Sequence, residues 1–350
     1  MLKQFIQSSI NKYLVIYISS FILLIVLFVL GVSIGSTSIP FRFVLSSIYD
    51  QFVGTHHTPD DIRTIIIGIR LPRVLLAFLV GSALSLAGTT FQGVLKNPLA
   101  DPFTLGVSSG ASVGAVIVIF FQISLPVLST FTLPVVSILA GFLTLLFLLY
   151  FVSILSKDLN VESIILGGII ISSFCSALLS FIISLSNNEL REVMGWLMGS
   201  LGSRGYTYSL LLLPFLIVGC ITILSVSRQL DALTFGQTSA QHLGVNVKKL
   251  TYLLLFTASC LTGAAVAVSG TIGFVGLVVP HFTRKLVGPL HKHLLILTML
   301  HGGIFLMATD LISRTILAPS ELPVGVVTSL IGAPIFAIIL IRMKKGRVKN

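Results

Sequence analysis

Residues 69–115 read IRLPRVLLAFLVGSALSLAGTTFQGVLKNPLADPFTLGVSSGASVGA, and the rest of the chain is organised around them. Arg70 and Arg73 frame a proline at the start. An apolar helix follows, carrying Ser82, Ser85, Thr89 and Gln92 at spacings of three and four residues, hence on one face. The helix stops at Asn97-Pro98, and Asp101-Pro102 starts a second span that opens with Gly106, Gly110 and Gly114. Glycines repeating every four residues let another helix approach closely. A helix with a polar stripe, hairpinned to a glycine-ridged helix, suits helices packed around a path through a membrane.

Composition supports that class. Of 350 residues, 55% are hydrophobic and 9% charged, with a mean hydropathy of +1.06. Apolar runs of roughly 20 residues, the length a bilayer demands, recur throughout, so residues 1–350 read as one transmembrane unit. The net charge of +11 does not point to nucleic acid, because the charges sit in short loops without a basic-aromatic patch. Cys175, Cys220 and Cys260 lie singly inside apolar runs, which fits small packing residues and no disulfide framework.

Ten spans follow in order: Tyr13–Gly35, Leu71–Val94, Phe103–Phe121, Thr132–Ser156, Ser163–Leu185, Tyr208–Val226, Thr251–Val268, a short Ile272–Phe282, His293–Thr309 and Pro323–Met343. The first run could be a signal peptide, but it is long and no clear small-x-small site follows. An uncleaved span is the preferred reading. An even count puts both termini on one side, and that side holds every lysine, so the termini are expected in the cytoplasm. Five spans per half would relate the two halves as inverted repeats. Gly270, Gly273, Gly276 and Pro280 interrupt the eighth span, as transport pathways between such repeats often require.

Arg70, Arg73 and Arg314 then sit at the outer mouths of spans two and nine. Snorkelling to the interface is one reading. The other is a docking surface for an acidic partner, since the arginine fork grips carboxylates bidentately.

Several words of the sequence resemble the FecCD-type permease subunits of ATP-binding-cassette importers for iron-siderophores, haem and cobalamin. They are RLPR at Arg70–Arg73, GSALSLAGTTFQ at Gly81–Gln92, NPLADP at Asn97–Pro102, LGVSSGASVGA at Leu105–Ala115, SAQHLGV at Ser239–Val245, SGTIGFVGLVVPHFTR at Ser269–Arg284, ATDLISR at Ala308–Arg314 and ELPVGVVTSLIGAP at Glu321–Pro334. The resemblance implies an all-α polytopic protein of the bacterial cytoplasmic membrane, surrounded by lipid. A second permease subunit, identical or a sister chain, would pair with it. Two cytoplasmic ATPases would carry ATP and magnesium, and an extracytoplasmic binding protein would deliver substrate. This chain itself would bind no cofactor and catalyse no reaction. Arg70, Arg73 and Arg314 match the arginines that meet acidic residues on the binding protein.

Residues 231–249, too polar to cross a membrane, match the coupling segment that rests on the ATPase: Gly236, Gln237, Ala240, Leu243 and Gly244, braced by His281 and Arg284. An ordinary cytosolic loop is the alternative, and Gln237 stands where the family commonly carries glutamate. Ala240, Leu243 and Val245 could present a small apolar face to a groove. The translocation path is expected along Ser82, Ser85, Thr89 and Gln92 of span two and Ser173, Ser176 and Ser180 of span five, although such hydroxyls also bond to their own backbone or join helices. The turn at Asn160, Val161 and Glu162 matches the family's inner gate.

No G-x-x-x-x-G-K-[ST] loop is present to bind ATP. His281 lacks a second ligand at metal spacing, and His291-Lys292-His293 reads as a charged loop. An ion-coupled secondary transporter would be expected to carry an ionisable residue inside the bilayer; Asp310, near the outer end of span nine, is the nearest candidate. Iron-siderophore is the expected cargo, with haem or cobalamin as alternatives.

Overall fold

The computed structural model describes residues 2–35, 37, 39–55, 57–126, 128–155 and 161–348, and every regular element among them is helical. In chain order these are α1 (Leu2–Ser33), α2 (Phe41–Val53), α3 (Asp60–Arg63), α4 (Leu71–Val94), α5 (Val107–Phe120), α6 (Thr132–Leu155), α7 (Val161–Leu185) and α8 (Leu190–Leu197). Then come α9 (Gly205–Ser225), α10 (Ser227–Thr234), α11 (Gln237–His242), α12 (Val247–Ser269), α13 (Val275–Val287), α14 (His291–Thr315) and α15 (Val324–Val348). Eight stretches are long and apolar enough to cross a bilayer. The 14-residue α5 is a shorter apolar helix at the third expected span, and the 13-residue α13 stands at the short eighth one.

Two layers can be told apart by burial. In α4 and α12, 83% and 78% of the apolar stretch is buried, against 28% in α6, α7 and α9. The central α4 packs on α14, α12, α13 and α9. Its apolar side chains do not explain that position, because lipid tails are as apolar as they are; close backbone approach between small residues does. Gly81 lies against Gly302 of α14, and Gly88 against Gly276 of α13, so a Cβ at either would overlap the facing backbone. The glycine ridge of α5 behaves as expected: Gly110 faces Thr144 and Gly114 faces Ala140, both on α6.

The boundaries differ from expectation at three places. A π-helical stretch, Thr64–Arg70, joins α3 to α4 in one run from Asp60 to Val94. This wider turn accommodates Pro72, which has no N–H and crowds the preceding turn. Span three starts at Val107 and not Phe103, because Asp101 folds the chain into a turn. Its Oδ1 accepts the Thr104 N–H at 2.8 Å, and Gly106 (φ 80°) then admits the helix. His291-Lys292-His293 is the first turn of α14 and not a loop.

The glycines interrupt the chain ahead of the eighth span only, since α13 runs unbroken through Gly276 and Pro280. Residues 270–274 are non-helical, with Gly270 and Phe274 at φ 70° and 67°. The Thr271 hydroxyl donates to the Leu197 carbonyl there, and the Ser200 N–H to the Ser269 carbonyl at 2.8 Å. The amphipathic α2 and the short α8 and α10 carried no signal above the loops containing them. In α2, the Asp50 carboxylate accepts the Thr55 hydroxyl at 2.7 Å and the Thr58 N–H at 2.8 Å. Those bonds hold it below the usual carboxylate range.

Candidate functional site

Three regions carry the polar side chains. At one end, Arg70, Arg73 and Arg314 are 5%, 7% and 3% exposed. Arg70 Nη1 donates to the carbonyls of Val32 and Ser33 at 3.1 and 2.6 Å, and Arg314 Nη2 to that of Gly31 at 3.0 Å. Together they satisfy the last carbonyls of α1, which have no partner inside the helix. Arg73 Nε donates to Asp310 Oδ1 at 2.9 Å and its Nη1 to Glu321 Oε2 at 2.8 Å. Asp310 Oδ2 lies 3.1 Å from Arg314 Nε, an ion pair without hydrogen-bond alignment. Each of the three guanidiniums expected to dock a partner is taken up inside the chain, because a buried cation needs a counter-charge or carbonyls. Asp310 is likewise a structural counter-ion, 1% exposed between two arginines.

At the opposite end, Gly236 (φ 115°) and Gly244 (φ 82°) bracket α11 in conformations suited to glycine. Gln237 opens the helix, exposed. Ala240 points inward, fully buried, and Val245 packs half-buried on the same core. The outward apolar face is made instead by Leu243, 70% exposed, and Phe235, 77% exposed. With Thr238, Ser239 and His242 they line a shallow groove of about 570 Å³. Phe235 was missed, though a phenylalanine in so polar a stretch was the available signal.

Behind this groove, His291 is 2% exposed; its Nδ1 lies 2.7 Å from Asp231 Oδ1, which also accepts the His291 N–H at 2.8 Å. One carboxylate so ties α10 to the start of α14. His293 stacks on Tyr13 of α1. Arg284 Nη1 donates inward to Gln92 Oε1 at 3.3 Å, and half-buried His281 has no partner for Nε2 among the described residues.

Between the ends, the two hydroxyl stripes part company. Ser82, Ser85, Thr89 and Gln92 are at most 3% exposed. Ser82 donates to the Met299 carbonyl of α14 at 3.0 Å, Gln92 Nε2 to the Gly276 carbonyl of α13 at 3.3 Å, and Thr89 back to Ser85 at 2.8 Å. Ser82 and Gln92 so join helices, Thr89 bonds within α4 and Ser85 Oγ has no partner among the described residues; none of the four faces an open cavity in this structure. Ser173, Ser176 and Ser180 of α7 are exposed. The first two help line an open cavity of about 570 Å³ with Asp101, Phe103, Thr104 and Ser172. Of the expected gate residues, Val161 is half-buried and Glu162 exposed in the first turn of α7; Asn160 lies outside the described residues.

The FecCD transport family model matches residues 23–342. The chain belongs to that family. It is 50% identical over 338 residues to the uncharacterized ABC transporter permease protein YvrB of Bacillus subtilis, covering 96% of both chains. It is 38% identical over 327 residues to the hemin transport system permease HmuU of Yersinia pestis, covering 93% of this chain and 95% of that one. A solved structure of an inward-facing metal-chelate type ABC transporter superposes with a TM-score of 0.80 at 33% identity, covering 94% of this chain and 99% of that chain. The FecCD chain is therefore a multi-pass ABC permease of the inner membrane and not an enzyme; ATP hydrolysis lies on separate subunits.

Proposed function

We propose that this permease moves ferric siderophore complexes inward, driven by two cytoplasmic ATPases and supplied by an extracytoplasmic binding protein. The observation that supports the cargo is the chemistry named for its relatives. Hemin, Fe(3+)-dicitrate and Fe(3+)-hydroxamate systems, all ferric chelates, stand at 38%, 35% and 33% identity. Cobalamin and molybdate relatives at 40% and 36% define the competing cargoes.

The path runs beside the exposed hydroxyls of α7, against a second permease copy or sister chain that closes it. The lysine-rich side is cytoplasmic, so the Phe235–Leu243 groove receives the ATPase. The opposite end receives the binding protein. Arg70, Arg73 and Arg314 shape that surface from beneath, and Glu321, 43% exposed over Arg73, would have to give way before an incoming carboxylate could pair with that arginine. The halves are related as inverted repeats, which the third and eighth spans favour: each is short and each follows a left-handed residue, Gly106 or Phe274.

Uptake of radiolabelled ferric siderophore by iron-starved cells with and without the gene tests the cargo, with labelled cobalamin alongside. Loss of iron uptake alone is expected. Loss of cobalamin uptake with iron unchanged would overturn the cargo and keep the importer.

A further inference from the structure

Among the short helices outside the long apolar stretches, α2 is built inside out. Its inward side carries Val44, Ser47 and Asp50, at most 3% exposed. The Asp50 carboxylate is taken up by Thr55 and Thr58, and Ser46 Oγ accepts the Thr58 hydroxyl at 2.7 Å. The outward side carries Phe41, Leu45, Tyr49 and Val53, each four residues from the last and 48–56% exposed. Helix α10 has the ordinary arrangement: Leu230 and Leu233 point in, while Arg228, Gln229 and Thr234 point out. A water-facing helix buries its apolar side. A continuous apolar stripe left bare, over a polar inner side, marks a surface that something covers.

The place of α2 says what covers it. The Ile39 N–H donates to the carbonyl of Ser33, the last residue of α1, at 3.0 Å, so α2 begins against the end of a membrane span. Arg70 fixes that corner by holding the carbonyls of Val32, Ser33 and Thr37. Only 17% of the apolar stretch of α1 is buried, the lowest share of the eight, which makes α1 a lipid-facing helix. Its exposed Ile25, Val26, Leu30 and Ile34 lead up to the corner where α2 starts. Arg42, the only cation of α2, is exposed beside the stripe with its guanidinium 4.8 Å over the Phe43 ring, placed to meet a lipid phosphate. Gln51, off the stripe, accepts from Arg63 Nη2 at 3.2 Å, which keeps α3 with its exposed Asp60 and Asp61 away from that face.

We infer that α2 lies on the membrane surface, with Phe41, Leu45, Tyr49 and Val53 set among the headgroups and upper acyl chains of the phospholipid leaflet where α1 ends. Phospholipid is the occupant, and not a protein partner, because the stripe begins where the lipid-facing surface of α1 stops. The inference needs α1 to cross the bilayer and does not depend on the cargo or on the direction of transport.

To test it, the full-length protein is placed in phosphatidylcholine nanodiscs with no binding protein or ATPase present. Trp196 is the only tryptophan, so Trp196→Phe gives a silent background in which Leu45→Trp or Tyr49→Trp reports the stripe. Gln229→Trp, on the outward side of α10, is the water-facing control. Lipids brominated near the headgroup end of their chains should quench the α2 tryptophans several-fold more than the control, and more than lipids brominated near the chain ends. Aqueous iodide should quench the control and spare the stripe. Two stripe positions keep the test decisive if one variant loses its monodisperse peak in chromatography. Iodide quenching equal to the control, protection from both quenchers, or stronger quenching from the chain-end bromines would overturn the inference. The stripe would then stand in water, against protein, or inside the hydrocarbon core.

Discussion

Helices α4 and α7 carry nearly the same pattern and meet opposite fates. Each is an apolar span with hydroxyls three or four residues apart on one face, Ser82, Ser85 and Thr89 in one and Ser173, Ser176 and Ser180 in the other. In α4 that face is covered by α13 and α14, and Ser82 with Gln92 bonds across to them. In α7 the face is open. Periodicity reports which residues share a face; it is silent on what lies opposite. The glycines make the difference. Gly81 and Gly88 bring neighbouring backbones onto the α4 stripe, whereas in α7 Gly167 packs on α6 and Gly168 on the Thr104–Leu105 backbone at the edge of the cavity, leaving Ser173 and Ser176 uncovered.

The sharpest break in the α4 side of this comparison is expected at Asp310. Replacing it with alanine leaves Arg73 of α4 without its buried partner and Arg314 without its counter-charge. Losing one member of a buried pair costs about 3–5 kcal/mol. Asp310→Ala should therefore give little folded protein, read as a lost monodisperse peak in detergent chromatography. A normal peak with only uptake reduced would mean that the carboxylate acts in transport and not in holding α4 to α14.

Gly88→Val should come next. Its side chain would meet the Gly276 backbone, which cannot rotate away, so overpacking of about 3 kcal/mol is expected. Ser176→Val on α7 has open space to enter and should leave the thermal midpoint within a degree or so, while lowering uptake. Equal destabilisation by both would erase the distinction between the helices.

Much of this architecture was legible before the structure. Eight of the expected spans are helices long and apolar enough to cross a bilayer, as run length implied, and the close approach of a helix to α5 follows from glycines at four-residue spacing. Two things were not. The anchoring of the outer arginines was hidden because the partners of Arg73, Asp310 and Glu321, lie far along the chain, and the carbonyls of Gly31, Val32 and Ser33 that hold Arg314 and Arg70 leave no mark on a sequence. The clamp of Asp231 on His291 was hidden for the same reason, across 60 residues. Sequence spacing exposes neighbours on one helix, whereas pairing between helices is set by packing.

Asp101 joins the two sides of the comparison, in the turn that leaves α4 and lines the α7 cavity. Burial pushes its carboxyl up to about 6, only partly offset by N–H bonds from Thr104 and Phe103. Between the ordinary carboxylate value, about 4, and that raised value, the folded protein holds a proton that the unfolded chain releases. Stability should accordingly fall as pH rises from about 4 to about 6, by at most about 1.4 kcal/mol per unit, and level off above. Asp101→Asn keeps the acceptor for Thr104 and should remove that slope in thermal melts. A slope that persists in the variant would assign it to other groups.

The smallest effect tests the stripes themselves. Ser82→Ala removes one interhelical bond to Met299, and such bonds in membranes average about 0.6 kcal/mol. The thermal midpoint should drop slightly, with uptake per folded molecule unchanged. Ser176→Ala removes no bond between helices, so its midpoint should hold while uptake falls, the opposite pairing of outcomes. The two substitutions are chemically identical. If both moved stability alone, α7 would also be a packing helix and the path would have to be sought on another exposed face, with α15 the first to scan because its apolar stretch is only 33% buried. If both moved uptake alone, the buried α4 stripe would have to open during transport, and the contact between α4 and α14 would be one that the transport cycle breaks.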